Sequence, residues 1–288
     1  MELLIRSPAR IKAYYLLTKP GIIFGNLLTA FGGVAFVSRG QIQGGVLLAL
    51  LVGLGCIIAS GCVSNNYLDR DSDKRMARTK DRALAKGLIS LRAAKIFSVA
   101  LALVGTGILT LFTNPLTVGV ALFGLFVYLV LYSKLKYHSV HATLIGSVAG
   151  AVPPVAGYCA ITPHLDGGAL LLFVILVFWQ MPHFYAIAIY RMKEYAAASI
   201  PVLPLKQGVY KTKIQMLLYT VAFVGVTILP WALNYVGIVY VGIVTPLSLT
   251  WLWVCLKGFR AENDFRWARK MFGVSLVVIT GFCVALLG

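Results

Sequence analysis

The chain has 288 residues, of which 59% are hydrophobic and 12% charged, with a mean hydropathy of +0.86. Apolar content this far above the soluble norm, with charge this far below it, excludes a water-soluble enzyme and points to an all-α polytopic membrane protein. The 26 Lys and Arg against nine Asp and Glu leave a net charge of +17, a field suited to anionic lipid and anionic substrate; no nucleic acid is expected as a partner.

About 20 apolar residues are needed to cross a bilayer. Such runs can be drawn nine times, around residues 22–37, 46–66, 94–113, 115–132, 140–161, 168–190, 213–233, 236–256 and 271–287. The first twenty residues hold scattered charge and two prolines rather than a cleavable signal peptide, so the first span is expected to serve as the insertion signal. Before it stand Arg6, Arg10, Lys12 and Lys19. A dense basic cluster follows span two, Lys134 and Lys136 follow span four, and further basic groups occupy 191–213 and 257–270; Arg39 alone falls on the other side. The positive-inside rule therefore places the N-terminus and these loops in the cytoplasm and, with nine crossings, the C-terminus opposite. The turns at Asn114–Pro115 and between Tyr235 and Gly237 are very short and set the least certain boundaries.

All five cysteines (Cys56, Cys62, Cys159, Cys255 and Cys283) lie inside spans without a metal-binding or disulfide spacing, and read as small core residues. Span five carries Gly146, Gly150, Pro153, Pro154 and Gly157, and span six carries Pro182. Such residues either kink helices around a central cavity or let them pack closely. Residues 1–288 are expected to form one membrane domain of about nine helices, with a central cavity opening to the cytoplasmic side.

The acids are unevenly spent. Four of the nine (Asp69, Asp71, Asp73 and Asp81) lie in SNNYLDRDSDKRMARTKDR, residues 64–82, at the end of span two. If span two continues as a helix, Asn65, Asp69 and Asp73 drift only ~40° per four-residue step and line one face. Like charges at that spacing repel, and carboxylates near lipid depth are disfavoured, so a cation belongs between them. One candidate is a salt-bridged helix end using Arg70, Lys74 and Arg78. The other is magnesium, which takes one or two carboxylates together with substrate phosphate oxygens. The basic residues downstream (Arg75, Arg78, Lys80, Arg82 and Lys86) suit the remaining charge of a diphosphate, and an apolar cavity below suits an isoprenoid tail.

NNYLDRDSD resembles the first aspartate-rich motif of the intramembrane aromatic prenyltransferases, with Asn65, Asp69 and Asp73 at the matching positions and Asn66 where many members have Asp. The blocks LTKPGIIFGNLLTAFGG, ASGCVSNNYLDRDSDKRMARTKDR, GSVAGAVPPVAGY and WQMPHFYAIAIYRMKEYAAASIPVLP, spread in order through most of the chain, are similar to the haem O synthase branch, the protohaem IX farnesyltransferases. Two departures from the wider superfamily stand out. Its second aspartate-rich motif is replaced by His183, Tyr190, Arg191, Lys193 and Glu194, as in that branch, and an Asn common in span five is replaced by Ala142 and Thr143.

The resemblance implies transfer of a farnesyl group from farnesyl diphosphate to the 2-vinyl group of protohaem IX (haem b), with addition of water, giving haem O. It implies Asn65, Asp69 and Asp73 as catalytic magnesium ligands with Asn66 beside them, and Arg70, Lys74, Arg78 and Lys136 as diphosphate contacts in decreasing order. Phe24, Tyr67, Tyr132, Tyr158 and Tyr185 are candidates to face the allylic cation, though any one of them can equally be packing. His183, Ile187, Tyr190, Arg191 and Glu194 share a helix face. There His183 is either an iron ligand or a cross-helix hydrogen bonder, Arg191 and Lys193 either hold the haem propionates or anchor the helix at the headgroups, and Glu194 either binds a second metal or pairs with Arg191. His138 and His141 form a weaker pair.

The bilayer of a bacterial inner membrane is the expected setting, and haem A synthase or a terminal oxidase are conceivable partners. The competing expectations are a prenyltransferase for another acceptor, such as a quinone head group, and a membrane transporter; polar residues clustered at one face argue against the latter.

Overall fold

In the chain's structure, a computed structural model, residues 7–38 and 40–287 are described; Arg6 and Arg39 lie outside them. Helix α1 (Ser7–Leu17) precedes α2 (Pro20–Ser38) and the 30-residue α3 (Gly44–Asp73). After a compact loop come α4 (Leu91–Phe112) and α5 (Pro115–Phe126), which runs through a π-helical stretch (Val127–Tyr132) into the short α6 (Ser133–Leu135). The order continues with α7 (Ala142–Ile161), α8 (Gly167–Tyr190), α9 (Met192–Ala197), α10 (Leu203–Val226), α11 (Leu229–Ala232), α12 (Ile238–Lys257) and α13 (Asp264–Ala285). Among the described residues nine helices are long and apolar enough to cross a membrane, in the expected order.

Local chemistry sets the boundaries. Ser90 caps α4 by accepting from the Ala93 amide, and Asn114 caps α5 by accepting from Thr117 with Pro115 in the first turn, which makes the abrupt turn between spans three and four. Asp166 caps α8 through the amides of Gly168 and Ala169. The ninth span begins at Asp264, earlier than the expected 271, because Asn263 caps a helix whose first two turns carry the exposed Arg266 and Arg269. The seventh begins at Leu203 and breaks at Gly208 (φ 83°, ψ 161°), a backbone state open to glycine.

Helices α2, α3, α4, α5 and α7 pack as one group and α8, α10, α12 and α13 as another, joined where α2 and α7 meet α8 and α13. Small residues permit close approach within the first group and at its junction with the second. A Cβ on Gly33 would collide with the Pro154 carbonyl, and one on Gly157 with the Ala30 carbonyl, so α2 and α7 touch backbone to backbone. Gly150 likewise leaves space for the Gln180 amide, whose Nε2 donates to the carbonyls of Ser147 and Leu176. The glycines of span five thus serve close packing. Tryptophans fasten the second group: Trp179 donates to the Ser275 carbonyl at 2.9 Å, Trp251 to Met271 at 3.2 Å and Trp267 to Val254 at 2.8 Å.

At ~1.5 Å per residue α3 is ~45 Å long, against a hydrocarbon core of ~30 Å. Its last turns therefore project at the basic end of the bundle. The loop that follows is no loose linker, since Met76, Thr79, Leu84 and Ile89 are buried, and Leu84 and Ile89 cluster with Leu17, Val63 and Ala94.

Gly157→Ala is expected to lower the thermal unfolding midpoint in detergent by several degrees, because overpacking costs about 1–3 kcal/mol. Gly107→Ala, whose added Cβ meets nothing within 4 Å, is expected to leave it unchanged or slightly raised. Equal behaviour of the two variants would contradict the backbone contact.

Candidate active site

Asn65, Asp69 and Asp73 follow one another along the projecting end of α3, as the four-residue spacing requires. Each has acquired a cationic partner from a different part of the chain. Lys136, just past α6, forms an ion pair with Asp69, whose Oδ1 also accepts from the Tyr137 hydroxyl at 2.7 Å. Arg82, in the loop after α3, grips both oxygens of Asp73 at 3.0 and 2.8 Å. Lys19, between α1 and α2, donates to Asn65 Oδ1 at 2.6 Å.

The Lys19 backbone is left-handed (φ 54°), a strained state for a lysine; burial, and then the Arg82 guanidinium, bring its ammonium down to about 8. Burial likewise lowers Lys136 while Asp69 opposes that shift, and burial raises the Tyr137 hydroxyl. Asn66 points elsewhere: its Nδ2 donates to the carbonyls of Leu17 at 2.8 Å and Cys62 at 3.1 Å, pinning α1 to α3. Asn65 Nδ2 and Asn66 Oδ1 are buried without hydrogen-bond partners.

The expected diphosphate contacts divide. Lys136 lies in the cluster. Arg70 and Lys74 turn to the exposed Asp71, at 3.5 and 3.2 Å, because they sit ~100° round the helix from Asp69 and Asp73. Arg78 reaches Glu194 of α9, its Nε 3.5 Å from Oε2, and Arg191 holds the other Glu194 oxygen at 2.6 Å. Glu194 thereby links the loop after α3 to the end of α8. Lys193 is exposed, and Tyr190 packs against Phe265 and Phe272.

His183 makes the cross-helix hydrogen bond: its Nδ1 lies 2.7 Å from Ser275 Oγ on α13, and the ring is sandwiched by Trp179 at 4.7 Å and Phe272 at 4.9 Å. His138 lines an open cleft described below, and His141 is exposed.

Of the five candidate aromatics only Tyr132 adjoins the acids; Lys136 Nζ lies 5.6 Å from its ring centroid. It stacks on Tyr128, at 5.5 Å and 10° between planes. The π-helical turn carries both, a distortion common at functional sites, and glycines give them room: a Cβ on Gly61 would lie 3.3 Å from Tyr128 and one on Gly146 3.1 Å from Tyr132. Phe24 is 72% exposed on the outside, Tyr67 is covered by Lys95 and Arg70, Tyr185 packs near Tyr219, and Tyr158 donates to Asp166 at the far end of the bundle.

The UbiA prenyltransferase family model matches residues 26–277. The chain belongs to the UbiA prenyltransferase family. Curated relatives called protohaem IX farnesyltransferase include one from Protochlamydia amoebophila, 48% identical with 94% of this chain and 95% of the relative covered. Another, from Serratia proteamaculans, is also 48% identical, with 95% and 93% covered. Among solved structures, one from work on digeranylgeranylglyceryl phosphate synthase superposes with a TM-score of 0.78 at 20% identity, covering 97% of this chain and 99% of its own. A UbiA homologue from Archaeoglobus fulgidus, bound to GPP and Mg2+, gives 0.72 at 14% identity over 96% and 99%. These likenesses bear on the fold. Around the motif the structure gathers Lys19, Tyr137 and Tyr128, which the sequence did not single out, and, of the downstream basic residues, Arg82.

Arg82→Ala, which strands the buried Asp73 carboxylate, is expected to cost about 3 kcal/mol of stability. Arg70→Ala, from an exposed pair, is expected to cost less than about 1 kcal/mol. Thermal unfolding of the metal-free protein checks this, and equal losses would contradict the pairing.

Proposed function

We propose that the chain transfers the farnesyl group of farnesyl diphosphate to the 2-vinyl group of protohaem IX, with water completing the addition, and so makes haem O for haem-copper terminal oxidases. The observation that carries the reaction type is the face formed by Asn65, Asp69 and Asp73, each met by a cation at the basic end of the bundle. The choice of donor and acceptor follows the curated relatives, 48% identical over nearly the whole chain. The positive-inside rule supports a cytoplasmic setting for this basic end.

The donor set fits a hard divalent cation. Asn65, Asp69 and Asp73 offer only carboxylate and amide oxygen, the chemistry magnesium prefers, and they lie at four-residue steps along one helix face. Magnesium held by Asn65, Asp69 and Asp73 would neutralise the developing charge on the leaving diphosphate as a Lewis acid.

The chain's own groups do the rest. Lys136, Arg82 and Lys19 are fixed beside the carboxylates, so their charges are in place before the carbon–oxygen bond stretches and need no reorganisation as the leaving group becomes anionic. Arg78, steered by Glu194, stands at the rim as a further contact. The stacked Tyr128 and Tyr132 offer π-faces to the allylic cation, within a wall that excludes water until the new carbon–carbon bond has formed. The terminal vinyl carbon then bonds to the farnesyl carbon that carried the diphosphate. The positive charge passes to the vinyl carbon attached to the macrocycle, where water adds and a proton leaves.

Purified protein given protohaem, farnesyl diphosphate and magnesium is expected to yield a haem heavier by one farnesyl group plus water, and a chelator is expected to stop the reaction. Asp69→Ala and Asp73→Ala are each expected to reduce turnover by at least ~10³-fold while still eluting as folded protein. Undiminished activity in both would remove the magnesium assignment.

A further inference from the structure

Beside the site lies a feature that the transfer step leaves unused. A cleft of about 460 Å³ opens at the basic end, lined by Tyr137 and His138 on one wall and by Ser199, Ile200, Pro201 and Lys206 on the other. Tyr137 is the shared partition, since its ring lines the cleft and its hydroxyl holds Asp69 at 2.7 Å. Among the described residues no carboxylate lines the cleft, in contrast with the neighbouring Arg78–Glu194–Arg191 bridge, whose cations are already paired.

The far wall is shaped by two left-handed residues, Ser199 (φ 57°) and Gly208 (φ 83°). The first, a strained conformation for serine, turns the chain back after α9, where the Ile200 amide donates to the Tyr195 carbonyl at 2.9 Å. The second ends the single turn that carries Lys206. The residues lining this wall thus include one cation, Lys206, and one hydroxyl, Ser199, beside the apolar Ile200 and Pro201.

We infer that this cleft receives the acceptor's two carboxylates, with Lys206 as the charged partner and His138 and Ser199 as hydrogen-bonding groups. The inference rests on the haem acceptor proposed above. The macrocycle carries its propionates and its 2-vinyl group on opposite edges. Carboxylates held at the water-facing cleft direct the vinyl edge past Tyr137, toward the metal-binding face and the apolar interior. Arg191 is instead engaged with Glu194.

The test compares protohaem with its dimethyl ester, in detergent without added lipid, for the wild type and for Lys206→Gln. Lys206 is exposed, so the variant is expected to fold. The expected result is a KM for protohaem raised roughly tenfold in the variant, the scale of one charge-assisted hydrogen bond, with kcat and the donor KM unchanged. The ester should show the same weakening in the wild type and no further loss in the variant. A variant that treats both acceptors as the wild type does would overturn the inference. So would an effect equal for acid and ester, or one that appears only when anionic lipid is added, which would assign the cleft to a lipid phosphate. Absence of farnesylation of either acceptor by the wild type would instead overturn the haem reading, and the carboxylate inference with it.

Discussion

Two carboxylates four residues apart, at the end of a helix whose preceding turns are apolar, cannot stand ionised without nearby positive charge, and most of the basic end of this molecule is arranged to supply it. Asp73 is 2% exposed and Asp69 16%, so both charges are largely removed from water. Their partners come from segments far apart in sequence: Arg82 from the loop after α3, Lys136 from the end of the π-helical turn. Lys19, from the α1–α2 junction, completes the set on Asn65. Each partner is itself held by packing, which explains why the loop of 74–90 is folded onto α3 and α4 through Leu84 and Ile89 rather than left to solvent.

That arrangement demands a scaffold that does not give. The backbone contact of α2 with α7 at Gly33 and Gly157 locks the first helix group, and Gly150, which admits the Gln180 amide of α8, lets the second group close on it. Lys213, donating to the Gly258 carbonyl at 2.7 Å and to Asp264 at 2.5 Å, ties α10 to the α12–α13 turn at the same end. With helices locked at this spacing, the cations stay beside the acids and the stacked tyrosines keep their faces. The same rigidity gives His183 its role, as a buried link between α8 and α13.

Much of the fold was legible because hydropathy reports span length directly, and the nine runs correspond to nine helices among the described residues. The face of Asn65, Asp69 and Asp73 was legible because three residues on one helix need only a period. The cations were less so. Arg70 and Lys74 are the nearest in sequence yet lie on another face with Asp71, while Arg82 is nine residues on and reaches Asp73 only through the fold of the loop. Lys19 and Tyr137 meet the acids across long sequence separations that no local pattern encodes. Tyr128 lies four residues before Tyr132, a neighbouring position on a helix, but nothing local distinguished it from the many aromatic residues that only pack. The glycines of span five fitted either a cavity or close packing until their neighbours were known.

With both carboxylates already neutralised by internal cations, a metal ion alone has little to gain from the site. In the proposed site, Asp69 and Asp73 would hold the metal while Lys136 and Arg82, without leaving that end of the bundle, would share their charge with diphosphate oxygens, so each ligand should strengthen the other reciprocally. The direct measurement is a manganese titration by electron paramagnetic resonance, with and without a non-hydrolysable farnesyl diphosphonate. Manganese that binds weakly to the protein alone and more than about tenfold more tightly with the diphosphonate present is the expected result. Tight binding that ignores the diphosphonate, or no protein-bound manganese even in its presence, would contradict the paired-charge site.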